Sequence, residues 1–314
     1  MNSKYALHPD FADVNDSNKN DAPNVPAEQM HTLNGLIREQ TKNIKADGVH
    51  VREETRTIAG YKDAQIKIRI YSPVDAKGSL PCIVYFHGGA WVCDVVPHHI
   101  NFSLQFAEKV PCVVVMVEYR LAMDNPFPCG LEDCYAALQW VFAHAAEIGV
   151  DKNRVAVFGD SSGGNFAAAV CLMARDRGAD QPCYQMLIYP VTDSTMTSES
   201  MNRYLDTPEL NCYGMQAAWQ FYLAKGDCGT PQYAAPLLAE DLSGLPAAYV
   251  ESAEFDPLHD EVLAYAKKLE AAGVPVELNE TLGSFHAFDM HMDCPYSIKA
   301  LEHRIEVVRR VLGE

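Results

Sequence analysis

The 314-residue sequence has few basic residues and no long hydrophobic run. Its 25 lysines and arginines are outnumbered by 42 aspartates and glutamates, so the formal net charge at pH 7 is −17. Such a charge argues against nucleic acids and anionic membrane surfaces as partners. No apolar stretch is long enough to span a bilayer, and no apolar signal segment follows the first methionine. We therefore expect a cytoplasmic protein that binds neither nucleic acid nor membrane.

The sequence also lacks any Cys-x-x-Cys pair, although it has ten cysteines. Cys82, Cys112 and Cys171 lie inside apolar runs, where a cysteine packs as a small hydrophobic side chain. The pattern favours free thiols over a disulfide framework. Nearly half of the residues are hydrophobic, and the length suits one large domain or two small ones.

Continuous apolar runs alternate with helix-like segments along most of the chain. Such runs fit central parallel strands that are covered on both faces. They occupy residues 82–86, 112–117, 184–189 and 247–252, and helices are predicted over about 131–147, 162–176, 259–272 and 296–312. The more polar segments 51–58 and 66–71 are predicted to be antiparallel strands at one edge. The sequence therefore predicts an α/β fold, a mostly parallel sheet with helices on both faces.

A Gly-Asp-Ser-Ser-Gly sequence at 159–163 joins a strand-like run to a helix-like run. This is the strand–turn–helix context of a G-x-S-x-G nucleophile elbow. Gly159 and Gly163 leave room for a tight turn. Ser161 would then stand above the sheet at a helix N-terminus, which favours developing negative charge. A plain Gly/Ser-rich connecting loop is the alternative, because short patterns recur by chance.

A second glycine-rich segment, His-Gly-Gly-Ala-Trp at 87–91, directly follows the strand predicted at 82–86. Two glycines there let backbone N–H groups turn toward a ligand. Acyl transfer needs such donors, because its tetrahedral intermediate carries negative charge on the former carbonyl oxygen. A simple Gly-Gly turn is the alternative, but the position of this segment upstream of the elbow favours an oxyanion hole.

Serine is a poor nucleophile unless a base takes its proton. A last strand is predicted at 275–278, and His286 is the expected base, because it lies in the loop after this strand and completes the order Ser…Asp…His. Asp256, just past the strand at 247–252, is the expected orienting carboxylate. Glu254 and Asp260 are its rivals, and Asp260 is expected to serve packing or helix capping instead.

Three further sets of side chains have less specific patterns. One loop contains several metal-ligand types, but ligand type alone is weak evidence and the loop already holds the expected base. That set is His286, Asp289, His291 and Asp293. His98 and His99 are expected to form a polar helix start. Core packing is expected for the aromatic residues, with an acyl pocket as the alternative, at Trp91, Trp219, Phe221 and Tyr222.

Together these segments resemble the hormone-sensitive-lipase-like branch of the α/β-hydrolases, the bacterial family IV carboxylesterases. The resemblance is carried by residues 87–89, 159–165, 256–258 and His286, and residues 119–122 and 126–128 also match. It covers about residues 50–314. It implies an α/β-hydrolase fold with an eight-stranded, mostly parallel sheet and a helical cap, and a reaction that needs no metal or organic cofactor.

The resemblance implies Ser161 as the nucleophile, Asp256 as the acid and His286 as the base of a serine carboxylesterase. Its substrates would be small-molecule esters of short acyl chains, from acetyl to about octanoyl. The same residues would serve an amidase, a deacetylase or a lactonase. A ligand-binding protein on a hydrolase scaffold is another alternative, because the resembled family includes hormone receptors without the histidine. All three residues are present here, which favours an enzyme.

The oxyanion hole implied by the resemblance comprises Gly88, Gly89, Ala90 and Ser162. The last three would donate their backbone N–H groups, and Gly88 would shape the turn. Two of these positions depart from the family pattern. Ala90 stands where a third glycine is common, and Ser162 stands where an alanine usually follows the nucleophile.

Two segments outside the strand–helix alternation are expected to form the cap. Apolar residues recur at helical spacing and predict an amphipathic helix over about 27–46: Met30, Leu33, Leu36, Ile37 and Ile44. We expect 1–46 to be an N-terminal cap segment and 191–235 a cap insertion. Residues 47–190 and 236–314 would form the catalytic domain. Ordinary core packing is the alternative for the amphipathic helix. The last strand and the terminal helix could form the edge of a homodimer.

Overall fold

An eight-stranded sheet forms the centre of the molecule. The structure is a computed structural model that describes residues 5–14 and 27–313. The strands are β1 (Val51–Ala59), β2 (Gln65–Pro73), β3 (Leu80–Phe86), β4 (Val113–Glu118), β5 (Val150–Asp160), β6 (Tyr184–Ile188), β7 (Ala247–Phe255) and β8 (Val276–Phe285). Their order across the sheet is β1-β2-β4-β3-β5-β6-β7-β8. Strand β2 pairs antiparallel with β1 and β4, and all the other pairings are parallel. The predicted sheet is confirmed.

Helices cover both faces of this sheet. They are α1 (Ala27–Thr41), α2 (Pro97–Lys109), α3 (Cys129–His144), α4 (Ser162–Asp176), α5 (Glu199–Arg203), α6 (Cys212–Tyr222), α7 (Pro231–Ala234), α8 (His259–Ala271) and α9 (Pro295–Leu312). Successive strand side chains point to opposite faces. Accordingly, Val84 of β3 packs in the core with α3, α4 and α8, whereas Ile83 packs in the core with α2 and α9.

The parallel strands bring the predicted site residues to one edge of the sheet. Strands β3, β5, β7 and β8 end at Phe86, Asp160, Phe255 and Phe285. The residues directly after these four strands are His87, Ser161, Asp256 and His286. In α/β folds this carboxyl edge is where ligands bind. The alternation of strands and helices therefore explains how segments up to 125 residues apart meet.

The N-terminal helix differs from the prediction at both its end and its buried face. It ends at Thr41, and Leu33 and Leu36 are exposed. Met30 and Ile37 are buried as predicted, and they share the buried face with Asn34 and Thr41, at helical spacing. Asn34 is buried because its side chain donates to Val92 O (2.8 Å) and accepts from Asp94 N–H (2.9 Å). Of the segment 1–46, residues 1–4 and 15–26 lie outside the described residues.

The segment 191–235 contributes three helices between β6 and β7, namely α5, α6 and α7. Helix α6 packs its aromatic residues against Trp91, which follows the end of β3. No helix within 27–313 is long and apolar enough to cross a membrane. All ten cysteines are free, as their spacing predicted.

Candidate active site

Ser161 lies at the turn between β5 and α4, with its backbone in the left-handed half of φ space (φ 54°, ψ −121°). The turn depends on two close approaches. A Cβ atom at Gly159 would meet Gly163 O at 2.1 Å, and a Cβ atom at Gly163 would meet Phe86 O at 2.0 Å. Because both distances are far below van der Waals contact, only glycine fits at these positions. Ser161 N–H also donates to Ile188 O (2.9 Å), which fixes the turn to β6.

Ser161, His286 and Asp256 form one continuous chain of hydrogen bonds. The Oγ atom of Ser161 lies 2.9 Å from Nε2 of His286, and Nδ1 of His286 lies 2.7 Å from Oδ2 of Asp256. The other oxygen of Asp256 accepts the N–H of Leu258 (2.8 Å). All three side chains are buried, with Asp256 fully so. A carboxylate in this place holds the imidazole with its proton on Nδ1, so that Nε2 faces the serine as an acceptor.

The two rival carboxylates are bound elsewhere. Glu254 accepts the N–H of Gly283 (2.7 Å), and Asp260 accepts the N–H of Ser200 (2.7 Å). Neither hydrogen-bonds to His286 in the described structure. Asp256 is therefore the carboxylate that the fold brings to the histidine.

The segment after β3 has backbone N–H groups that are free to donate hydrogen bonds close to the elbow. Gly89 and Ala90 both have positive φ, 117° and 55°. Within the part of the chain that the structure describes, their N–H groups bond to no other protein atom. The N–H of Ser162 lies in the first turn of α4, where no helix carbonyl can accept it. These three donors match the set that the resemblance implies.

Gly88 differs from them, because its N–H is already donated to Oδ1 of Asp160 (3.1 Å). A Cβ atom at Gly88 would lie only 2.3 Å from Oδ2 of the same carboxylate. Gly88 therefore lets the loop approach Asp160 and shapes the turn. It does not offer a free donor.

The sequence did not indicate the role of Asp160 or of the two histidines near it. His98 and His99 lie in the first turn of α2, as predicted, but both side chains are buried. Nε2 of His99 lies 3.4 Å from Oδ2 of Asp160, and Tyr85 donates its hydroxyl to Oδ1 (2.8 Å). The sequence contains one indication that His99 is buried: it precedes the apolar Phe102 and Phe106 at helical spacing, on the same face of the helix.

His98, His99 and Asp160 are close enough to share a metal ion among the described residues. The hydrogen bonds of His99 argue against a metal ion at this cluster. Val96 N–H donates to Nδ1 of His99 (3.1 Å), so the proton of this imidazole sits on Nε2 and faces Asp160. A metal would need the lone pair at that nitrogen. Among the described residues, the His and Asp side chains of the loop after β8 do not gather in one cluster, because Asp289 bonds to Tyr189 and Arg304, and His291 lies beside Glu209.

The electrostatics of this cluster fit a neutral histidine and a charged carboxylate. Burial lowers the pKa of His99 to about 3, so the imidazole is neutral at pH 7. Burial alone would raise the pKa of Asp160, but contacts with His99 and His98 outweigh it and hold that pKa well below its usual range. Since His99 is neutral near pH 7, it acts on Asp160 there as a hydrogen-bond donor.

The aromatic residues singled out in the sequence form one buried stack beside the oxyanion loop. Trp91 stacks on Tyr222 with ring centroids 4.2 Å apart and planes 3° apart, and Trp219 packs 4.6 Å from Trp91. All three rings are buried, which fits the core-packing expectation, whereas Phe221 is half-buried.

A buried ion network was not foreseen from the sequence. Arg304 of α9 is fully buried and pairs with Glu251 of β7 and with Asp289, which lies just after His286. Tyr189 donates to Asp289 (2.6 Å), and its ring packs against His286. The one sequence signal is that Arg304 interrupts the apolar face of α9, next to Ile305 and Val308.

Comparison with known proteins gives a consistent result. A sequence model of the α/β-hydrolase fold family matches residues 83–290. The carboxylesterase NlhH of Mycobacterium tuberculosis is 36% identical over 266 residues, 83% of each chain. An ethyl acetate hydrolase of Pseudomonas putida is 34% identical over 227 residues, 71% of each chain. The solved structure of a bacterial heroin esterase superposes with a TM-score of 0.87 at 33% identity, covering 98% of each chain.

Proposed function

The chain belongs to the hormone-sensitive-lipase-like branch of the α/β-hydrolase family and is a carboxylic ester hydrolase, and we propose that it hydrolyses short-chain acyl esters through Ser161, His286 and Asp256. The observation that carries this proposal is the hydrogen-bond chain from Ser161 Oγ through His286 to Asp256. It gives the nucleophile a base and gives the base an orienting carboxylate.

The first half of the proposed reaction forms an acyl-enzyme. Ser161 Oγ attacks the ester carbonyl carbon while its proton passes to Nε2 of His286. The carbonyl electron pair moves onto oxygen, and this oxyanion is held by the N–H groups of Gly89, Ala90 and Ser162. The bond to the alcohol then breaks, and the imidazolium protonates the departing oxygen.

The second half releases the acid. A water molecule gives a proton to His286 and attacks the acyl carbon, so that a second oxyanion forms at the same donors. Collapse of this intermediate breaks the bond to Ser161, whose oxygen takes the proton back from His286. Asp256 stabilises the imidazolium in both halves.

The proposed preference for short acyl chains is supported by two observations. Segment 191–235 packs Trp219 and Tyr222 of α6 onto Trp91, beside the proposed oxyanion donors. One relative of similar length is an ethyl acetate hydrolase. We propose that this segment and the N-terminal segment 1–46 act as a cap that limits the space for the acyl chain.

We also propose that the protein pairs with a second copy of itself through β8. This strand is at the edge of the sheet and exposes Leu278 and Leu282, the latter at 68% of its surface. Gly283 O at the end of β8 already accepts His8 N–H (2.9 Å), so the pairing would involve the strand before Gly283, where an edge with exposed leucines can pair with another strand. Light scattering during size-exclusion chromatography tests this. Wild type is expected to be a dimer, and the Leu282→Glu variant is expected to be a monomer. Wild type that is monomeric at all concentrations would contradict the proposal.

The central experiment measures initial hydrolysis rates of p-nitrophenyl esters from acetate to palmitate. Wild type is expected to prefer the short esters, and Ser161→Ala is expected to lose activity by at least about 10⁴-fold. Ser103→Ala is the matched control, because it removes a buried hydroxyl on α2 whose hydrogen bonds within the described structure go to His99 O and Met116 Sδ. Folded wild type that hydrolyses none of these esters would refute the proposal.

A further inference from the structure

Ser200, in the segment 191–235, bonds directly to the loop that carries Asp256. Ser200 lies on α5, and its hydroxyl donates to Pro257 O at 2.8 Å. Pro257 O belongs to the peptide group that joins Pro257 to Leu258. The N–H of that same peptide group donates to Oδ1 of Asp256 at 2.8 Å. One peptide group therefore links the Ser200 hydroxyl to the carboxylate of Asp256.

The geometry of a peptide group makes this link directional. The group between Pro257 and Leu258 is planar and trans, so its C=O and its N–H point in opposite directions. A hydroxyl that holds the carbonyl oxygen on one side therefore directs the N–H toward Asp256 on the other side. Ser200, Asp256, Pro257 and Leu258 are all buried, so water does not compete for either bond.

Ser200 is itself fixed at this place by Asp260, in the first turn of α8. The backbone N–H of Ser200 donates to Oδ2 of Asp260 (2.7 Å), and Oγ of Ser200 accepts the N–H of Asp260 (3.1 Å). Helix α8 needs such an acceptor, because Leu258 at its N-cap position has no side chain that can accept a hydrogen bond. The Ser200 hydroxyl thus takes the place of an N-cap side chain for α8.

The remaining backbone bond of this loop holds a different peptide group. Asp256 O accepts the N–H of His259 (3.0 Å), which fixes the peptide between Asp256 and Pro257. Within the described residues, the hydrogen bonds of the Pro257–Leu258 peptide go to Ser200 and Asp256. With alanine at position 200 this peptide can tilt, and the carboxylate that accepts its N–H can turn with it.

We propose that Ser200 is a positioning residue for the carboxylate of the triad. By holding the Pro257–Leu258 peptide it fixes the orientation of the Asp256 carboxylate and, through that carboxylate, the imidazole of His286. The segment 191–235 then contributes to catalysis itself and does not only limit the space for the acyl chain. This inference rests on the proposed acyl-transfer function, because it concerns how the base of that reaction is oriented.

Lower activity in Ser200→Ala alone would have two explanations. The substitution could disorient Asp256, or it could loosen α5 as a whole. Ser198→Ala separates them, because Ser198 is the N-cap of the same helix and its hydroxyl accepts the N–H of Met201 (3.2 Å). Oγ of Ser198 also lies 3.3 Å from Oγ of Ser200, but the Ser200 hydroxyl donates its proton to Pro257 O, and the control leaves that bond in place.

The experiment measures kcat and KM for p-nitrophenyl acetate in wild type, Ser200→Ala, Ser198→Ala, Asp256→Ala and the double variant of positions 200 and 256. Loss of the triad carboxylate itself costs about 10⁴-fold in related chemistry, and a carboxylate that is present but misoriented should cost only part of that. Ser200→Ala is therefore expected to lower kcat about tenfold, with KM within about twofold. Ser198→Ala should keep kcat within about twofold of wild type.

The double variant tests whether the effect passes through Asp256. In the Asp256→Ala background no carboxylate remains to be oriented, so removal of the Ser200 hydroxyl should lower kcat by no more than about twofold. A loss that passes through any other group would appear equally in both backgrounds.

Three results would overturn the inference: a Ser200→Ala kcat within about twofold of wild type, a kcat equal to that of Ser198→Ala, or an equal loss with and without the Asp256 carboxylate. Thermal melting checks that each variant is folded. Should Ser200→Ala fail to fold, Ser200→Cys keeps a similar size and offers only a weak donor, and it is judged by the same three results. Folded wild type that hydrolyses no ester would instead refute the proposed function.

Discussion

Oδ1 of Asp160 accepts the N–H of Gly88 across 3.1 Å, which ties the residue before the nucleophile to the loop that carries the free N–H groups. The same oxygen accepts the hydroxyl of Tyr85, and the other oxygen faces Nε2 of His99. Asp160 is buried and charged, so each of these donors replaces a lost water contact. The elbow and the oxyanion loop are thus held by one carboxylate.

Asp160→Asn is expected to lower kcat by between about 10- and 100-fold, with little change in KM, because the oxyanion loop shifts. The asparagine oxygen can still accept from Gly88 and Tyr85, but the asparagine NH₂ group then faces the Nε2–H group of His99, and two donors meet. If the His99 proton moved to Nδ1 to avoid this, it would meet another donor, the N–H of Val96. Steady-state kinetics on p-nitrophenyl acetate measure the effect.

Tyr85→Phe is the matched control, since it removes one hydrogen-bond donor to the same oxygen of Asp160 and brings no two donors face to face. Its kcat is expected to fall by no more than about threefold. Equal kcat values for Asp160→Asn and Tyr85→Phe would show that two donors facing each other at this place do not disturb catalysis. The role of Asp160 in holding the oxyanion loop would then be refuted.

Glu261→Gln should change how stability depends on pH. Burial raises the pKa of Glu261 well above its usual range, although Oε1 accepts the N–H groups of Thr192 and Asp193. Between the unfolded pKa of about 4.3 and this higher folded pKa, the folded state binds more protons than the unfolded state. Stability therefore falls as pH rises through that window, by up to about 1.4 kcal/mol per pH unit.

Glutamine keeps the acceptor oxygen without titrating, so Glu261→Gln should gain stability relative to wild type between pH 5 and pH 7. Urea unfolding at both pH values gives this difference. The exposed Glu270 lies on the same helix, and Glu270→Gln is expected to show the pH dependence of wild type. Parallel curves for Glu261→Gln and wild type would contradict the assignment.

The sheet could be predicted from the sequence, because continuous apolar runs and alternating segments each favour one structure. The order of Ser161, Asp256 and His286 also follows from the motifs, since each comes directly after a strand. The hydrogen bond from Trp91 N–H to the Ser162 hydroxyl (3.1 Å) could not be predicted, because it depends on the positive φ angles of Gly89, Ala90 and Trp91. On α1 the sequence placed Met30 and Ile37 correctly on the buried face, but it also placed Leu33 and Leu36 there, because apolar spacing alone could not show that Asn34 finds backbone partners in that face.

Arg304→Met should destabilise the protein by about 3–5 kcal/mol, because it leaves Glu251 and Asp289 buried without their cation. Arg310 of the same helix pairs with Glu277 at the surface, where both side chains are exposed. Arg310→Met should therefore cost no more than about 1 kcal/mol. Free energies of unfolding in urea test both, and similar costs for the two variants would contradict the importance of the buried network.

Trp219→Ala should shift the acyl preference toward longer chains. The indole of Trp219 packs 4.6 Å from Trp91, which follows the proposed oxyanion donors, so its removal opens space beside the acyl position. We expect the ratio of kcat/KM for the octanoate to that for the acetate to rise by at least about threefold. The substitution should also cost about 3–5 kcal/mol of stability, as for other buried tryptophans.

Rates are therefore measured well below the melting temperature, and Trp219→Leu provides a smaller change if the alanine variant does not fold. Trp140→Ala on α3 is the matched control, because that indole stacks on His144 and makes no contact with Trp91. Its octanoate-to-acetate ratio should equal that of wild type. An unchanged ratio in folded Trp219→Ala and Trp219→Leu would mean that α6 does not limit the acyl chain, and that the limit lies with other residues around Ser161.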